Sequence, residues 1–282
     1  MMERRSLPFS IFLYANAIVL GIFIVAPLLW LVIMSISDTN DLTTVPLRWL
    51  PQTLDLHRYG ELTSTVANSV GAAFLQAMRN SLLVAGMATI AALAVAIPAA
   101  WSVSRADGKL DVSLYGIIAT YMLPPVALVV PIYFALSALG ALNSVFSLAI
   151  VYLSILAPFT TWLLKSNFDH VPVEIEKAAM IDGARLDQIL RRVTLPLAAP
   201  ALTTAGLFAF LLAWDEFFYA LLFTAKDSKT LPVFIADLAG GRVADYGLIA
   251  TAGVLASLPP VLIGFFLQKS LVSGLTAGGV KG

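Results

Sequence analysis

Ile11-Phe-Leu-Tyr-Ala-Asn-Ala-Ile-Val-Leu-Gly-Ile-Phe-Ile-Val-Ala-Pro-Leu-Leu-Trp-Leu-Val-Ile-Met34 is an apolar run without a single charged residue. At about 1.5 Å per residue, a helix of roughly 24 residues reaches across a hydrocarbon core of about 30 Å. The run is too long for the apolar segment of a secretory signal, so Arg4 and Arg5 ahead of it read as the flank of a retained first span. The rest of the chain has the same character. Of 282 residues, 59% are hydrophobic and 12% charged, roughly half the charged fraction of an ordinary soluble domain. A water-soluble fold of this composition would expose large apolar patches. Lipid is therefore the expected solvent.

Five further stretches are long and apolar enough to cross: 81–103, 114–136, 144–164, 200–223 and 247–267. With 11–34 they predict an all-α integral membrane protein of six transmembrane helices, a single domain over 1–282. Only helices and closed barrels satisfy backbone polar groups in lipid, and continuous rather than alternating apolarity selects helices. An even number of spans puts both termini on one side. Segments on that side carry Arg4, Arg5, Arg105, Lys109, Lys165, Lys177, Arg185, Arg191, Arg192, Lys269 and Lys281, eleven of the seventeen basic residues. The opposite side carries Arg48, Arg58, Arg79, Lys226, Lys229 and Arg242. The basic excess predicts cytoplasmic termini. It leaves 35–76 as an irregular external cap, with Trp49 and Tyr59 as interfacial anchors. Pro27, Pro98, Pro124, Pro125, Pro131 and Pro158 each remove a helix hydrogen bond and permit a kink.

The loop 165–199 is too polar to span and too well patterned to be slack. In Val171-Pro-Val-Glu-Ile-Glu-Lys-Ala-Ala-Met-Ile-Asp-Gly183, Pro172 suits a helix start, and Glu174 and Glu176 complement the helix dipole. Gly183 ends the helix in a left-handed conformation. Leu186, Ile189, Leu190 and Val193 form a stripe on a second short helix, stopped by Pro196. Two such helices make a knob suited to a groove on a cytoplasmic partner.

Catalytic chemistry finds no support. The chain has no cysteine, and its two histidines, His57 and His170, are too few for a metal site. It contains no Gly-x-x-x-x-Gly-Lys-Ser/Thr phosphate loop, and its net charge of zero argues against nucleic acid. Asp215 and Glu216, beside Trp214 and Tyr219 in the fifth span, are costly groups to bury. Carboxylates among aromatic faces suit hydroxyl-rich rings, and the same residues also suit an outer aromatic belt. Asn80 is a weaker candidate of the same kind, with helix packing as its alternative role.

The run Ala178-Ala179, three residues, Gly183, nine residues, Val193, one residue, Leu195-Pro196 resembles the signature cytoplasmic loop of binding-protein-dependent ABC importer permeases. In that family the pattern reads Glu-Ala-Ala, Gly, Ile, Leu-Pro at the same spacing. Lys177 stands where the family has its Glu, and Val193 replaces Ile. Arg79-Asn80-Ser81, Ala99 to Arg105, Trp214 to Phe217 and the tail Thr276 to Gly282 are similar to the carbohydrate subgroup, in particular its shorter maltose-type subunit.

The resemblance implies the type I importer permease fold in a multi-pass bacterial cell membrane protein, with no enzyme activity and no cofactor in this chain. ATP and magnesium would be bound by a partner ATPase dimer. A second homologous permease and an extracytoplasmic solute-binding protein would complete the complex. The sites implied are an ATPase-coupling loop of Glu174, Glu176, Lys177, Ala178, Ala179, Asp182, Gly183, Leu195 and Pro196, and a substrate pathway including Asn80, Trp214, Asp215, Glu216 and Tyr219. The cargo would be a sugar or oligosaccharide. Another polar solute, such as a polyamine or phosphate ester, and an ion-coupled secondary transporter are the alternatives.

Overall fold

A computed structural model describes residues 7–46, 48–106, 108–241 and 244–276. Arg4, Arg5, Arg242, Lys281 and the tail beyond Thr276 lie outside the described residues. Apart from one bridge between Ser37 and Leu54, regular structure among the described residues is helical. In chain order the helices are α1 (Leu7–Ser35), α2 (Thr39–Thr43), α3 (His57–Leu62), α4 (Val70–Ser104), α5 (Asp111–Tyr121), α6 (Pro125–Ala138) and α7 (Val145–Phe168). There follow α8 (Val173–Ile181), α9 (Leu186–Ile189), a π-helical turn (Leu190–Thr194) and α10 (Leu195–Leu197). The chain continues with α11 (Ala199–Trp214), α12 (Phe218–Phe223), α13 (Leu231–Ala239) and α14 (Tyr246–Thr276).

Four helices are long and apolar enough to cross a membrane alone, over Phe9–Ser35, Val70–Ser104, Val145–Phe168 and Tyr246–Gln268. Two bent pairs bring the number to six if each is one crossing: Val112–Tyr121 with Pro125–Ala138, turning by 87°, and Leu186–Leu197 with Ala199–Trp214, turning by 83°.

The sequence expectation of a continuous third span over 114–136 is corrected here. Pro124 and Pro125 lack N–H donors, and a residue before proline is pushed out of the helical region. Pro124 itself is extended (φ −63, ψ 128). The helix breaks at Met122–Pro124. Pro27, Pro98, Pro131 and Pro158 by contrast lie inside continuous helices. So does the pair Pro259-Pro260, which shows that a Pro-Pro pair permits a break without compelling one. The second span starts earlier than Ser81, because the Ser69 hydroxyl accepts the Ala72 N–H at 3.0 Å and starts α4 at Val70.

The described residues fall into two compact units, one within Met1–Phe74 and Ile235–Ser257, the other within Leu75–Phe234 and Leu258–Gly282. In the first, the segment expected to be irregular is organised by a fully buried arginine. Arg58 donates to the Ser37 carbonyl at 2.6 Å and to Thr39 Oγ1 at 2.7 Å, and its Nε lies 3.4 Å from Asp245. Tyr59 reaches Ser35 Oγ at 2.7 Å, and Trp49 packs its ring on Trp30 at 5.1 Å.

In the second unit the core is built on small residues. Ala96 and Ala100 of α4, Leu164 and Phe168 of α7, and Ala205 of α11 are all fully buried together. Alanines at these positions let helix backbones approach closely, the usual means of packing helices in lipid. This brings the end of α4 against the segment that follows α7.

Candidate functional site

The segment after α7 forms the expected helix. Pro172 is its N-cap, one residue ahead of the predicted position, and Glu174 and Glu176 occupy the first turn of α8. The helix ends at Gly183 with φ +82, the left-handed region. The Gly183 N–H bonds the Met180 carbonyl at 3.0 Å, and the Ala184 N–H bonds the Ala179 carbonyl at 2.9 Å. That pair of bonds is a Schellman motif.

Pro196 does not stop the second short helix. A π-helical turn over Leu190–Thr194 carries the Leu195 N–H back to the Leu190 carbonyl, and the chain turns only at Ala198. Proline at this point has no N–H to lose from the shifted ladder. Leu195 is half-buried against the core, and Pro196 is exposed.

The sequence reading placed Glu176 among the residues contacting a partner. The structure corrects this: Glu176 is 1% exposed and its carboxylate is consumed within the chain. Arg105, at the end of α4, donates from Nε to Oε2 at 2.8 Å and from Nη2 to Oε1 at 2.9 Å. Thr194 donates to Oε1 at 2.6 Å, and Trp101 Nε1 donates to it at 3.3 Å. Burial alone would raise the Glu176 pKa, but the bonds from Arg105, Thr194 and Trp101 outweigh it and hold the carboxyl below its ordinary range. A buried ion pair satisfied on every side is a structural clamp.

What α8 presents outward is different. Glu174, Ile175, Lys177, Ala178, Met180, Asp182 and Gly183 are exposed, and Ala179 is half-buried. Ile181 is 87% exposed at the tip. Beside the ridge lies a cleft of about 730 Å³, walled by Trp101, Arg105, Asp169, Lys177 and Met180 among others. One face of α8 is thus clamped inward, and its tip presents apolar side chains flanked by charges.

The second group of sequence candidates is not assembled as one site. Asn80 is buried, its amide donates to the Asp227 and Lys229 carbonyls at 2.7 and 2.9 Å, and its Oδ1 accepts from Gln76 at 3.3 Å. It fastens the turn after α12 to α4. Asn80→Ala is expected to cost about 1–3 kcal/mol by leaving those carbonyls unpaired, read as a lower melting midpoint of the purified protein. The fifth span also breaks after Trp214. The Glu216 carboxylate accepts the N–H groups of Tyr219 at 2.8 Å and Ala220 at 3.2 Å, starting α12 afresh. Trp214 is buried and stacked on Phe210 at 5.6 Å, and Tyr219 is buried and stacked on Phe223 at 5.7 Å. Of this group only Asp215 is exposed.

A region near the α5–α6 break, of which the sequence reading named only Tyr219, is lined by several hydroxyls. A cavity of about 540 Å³ is lined by apolar groups with Ser113, Thr120, Ser154 and Thr161. It shares Thr120, Leu123, Leu128 and Ser154 with a smaller one of about 230 Å³ that adds Tyr121 and Tyr219. Isolated hydroxyls inside apolar runs carry no periodic signal, and only the break at Pro124 hinted at a lined space.

Residues 92–276 match the model of the family described as binding-protein-dependent transport system inner membrane component. The trehalose/maltose transport system permease of Thermococcus litoralis is 32% identical over 277 residues, covering 96% of this chain and 97% of that protein. The sulfoquinovosyl glycerol permease of Agrobacterium fabrum is 35% identical, with 91% and 88% covered. The diacetylchitobiose uptake permease of Streptomyces coelicolor is 31% identical, with 99% and 100% covered. Among solved structures, a chain of a bacterial ABC transporter involved in import of the acidic polysaccharide alginate superposes with TM-score 0.74 at 24% identity, covering 95% of this chain and 99% of that one. The fold is that of an ABC importer permease, and the chain belongs to the family of binding-protein-dependent transport system inner membrane components.

Proposed function

We propose that this permease carries a sugar or oligosaccharide, delivered by an extracytoplasmic solute-binding protein, into the cytoplasm of its host. The carbohydrate cargo of three relatives at 31–35% identity, each aligned over nearly the whole chain, supports the class of solute. The chain would work beside a second, homologous permease. Two ATPase subunits would bind ATP and magnesium, and this chain itself needs no cofactor. Both termini and α8 would face the cytoplasm, where α8 docks into a cleft of one ATPase. The observation that carries the coupling role is the exposed ridge of α8 ending in Ile181, held from behind by the Glu176 clamp. Closure of the ATPase pair on ATP would then push α8 and rock the permeases between inward- and outward-facing states. Of the lining groups, Thr120 and Ser154, which both cavities share, would meet solute hydroxyls, and the exposed Asp215 would be a further acceptor.

Affinity purification of the tagged chain from native membranes, with mass spectrometry of what remains bound, tests this reading. An ATPase and a second permease are expected, and a chain that purifies alone would overturn it. The ligand of the accompanying binding protein should be a carbohydrate. Gly183→Val probes the coupling role. Nothing lies within 4 Å of an added Cβ, so within this chain the cost comes from the left-handed backbone, at roughly 1–2 kcal/mol. The variant complex should assemble, with its ATP hydrolysis no longer stimulated by the loaded binding protein.

A further inference from the structure

Arg105, already met as the partner of Glu176, makes further bonds at the end of α4. Nε and Nη2 hold the two oxygens of Glu176, at 2.8 and 2.9 Å. Nη1 donates to Ser104 Oγ at 2.9 Å and to the Phe168 carbonyl at 3.0 Å, and Nη2 donates to the Val171 carbonyl at 3.3 Å. Ser104 in turn donates to Asp169 at 2.6 Å, and Asp169 pairs with Lys165 at 2.9 Å. One planar fork thus ties together the end of α4, the end of α7, the short link after it and, through Glu176, both α8 and the Thr194 turn.

We propose that Arg105 is a positioning residue that makes the end of α4 and α8 a single rigid lever. A push on the ridge of α8 is then delivered to α4 rather than absorbed by rotation of a short helix. The geometry favours this over a purely local brace. Five directed N–H donors on acceptors from four segments forbid both sliding and rotation, which one ion pair alone would allow. Without the fork, α8 is held to α4 only by the 3.3 Å bond from Trp101 to Glu176, and to α7 only by the backbone link 169–172. The inference rests on the ATPase-docking role proposed for α8.

The absence of cysteine allows a clean test. Ser102→Cys at an exposed position of α4 and Val173→Cys at the half-buried start of α8, outside the exposed ridge, carry spin labels in the co-purified complex. Their separation is read by pulsed electron resonance without nucleotide and with the non-hydrolysable analogue AMP-PNP. The distance should stay constant within about 2 Å between the two states, although helix shifts of that order or more occur elsewhere in such transitions. In Arg105→Gln it should broaden or become nucleotide-dependent, and ATP hydrolysis should fall about 2- to 30-fold at unchanged subunit stoichiometry. Where that variant does not accumulate, Arg105→Lys, which keeps charge but not the fork, is read in the same way. A wild-type distance that moves with nucleotide, or an Arg105 variant as narrow as wild type in both states, overturns the lever. If no ATPase co-purifies, the docking role fails separately, and the label distance in the isolated chain, wild type against Arg105→Gln, still decides whether the fork fixes α8.

Discussion

Replacing Glu176 by alanine is expected to destabilise the α8 segment by about 3–5 kcal/mol, the cost of leaving a buried charged partner uncompensated. Arg105 would lose both carboxylate contacts while remaining confined by carbonyls, and Thr194 and Trp101 would lose their acceptor. Glu176→Gln should cost less, since the amide oxygen still accepts from Thr194 while the charge is gone. The measurement is the thermal midpoint of the purified complex, together with protease cleavage in the loop 165–199. A double variant, Arg105→Met with Glu176→Met, should recover a large part of the loss, because removing both charges is far less costly than removing one. An alanine variant as stable as wild type, with an uncleaved loop, would show that the pair is not a clamp.

This expectation reverses the reading that sequence alone suggested for Glu176, and the reason is physical. The helix start, the paired small residues and the glycine exit of α8 are local signals, set by caps and φ, and each appears in the structure. Which face of a nine-residue helix turns inward is decided by a partner about seventy positions away, and nothing in the sequence paired Arg105 with Glu176. Glu174 and Glu176 looked equivalent as first-turn carboxylates, yet one is exposed and the other buried. Long apolar runs were legible for the same local reason: composition alone requires a helix in lipid.

Breaks within those runs were less legible. Glu216 has the position of a helix-starting carboxylate, but a charge in an apolar run also reads as a ligand group, and only the bonds to Tyr219 and Ala220 decide between the two. Asn80 was ambiguous in the same way, and its contacts are those of the packing role. The larger hydroxyl-lined cavity comes from residues 95–161 and the smaller adds Tyr219, positions far apart in sequence, so no window of the chain could have shown them.

The tip of α8 makes the other large prediction. Ile181 is 87% exposed, and Met180 and Leu186 are exposed beside it. Within this chain the side chain contributes little, so Ile181→Glu should change thermal stability by no more than about 0.5 kcal/mol. Against a partner the effect is different. Burying an isoleucine contributes about 1.5–3 kcal/mol, and forcing an unpaired carboxylate into the same groove adds a penalty of its own. Each 1.4 kcal/mol is about tenfold in affinity, so retention of the ATPase should weaken by about 10- to 100-fold or more. Quantitative pull-down with wild type, Ile181→Val and Ile181→Glu side by side separates this from misfolding: valine keeps the apolar tip and should bind within a few-fold of wild type. If the glutamate variant holds its ATPase as tightly as wild type, the docking surface lies elsewhere on the loop, and the exposed face of α9 with Leu186 would be the place to look for it. If it loses the ATPase while keeping its own melting midpoint, the ridge is the contact, and the buried side of the same helix is left to carry the motion inward.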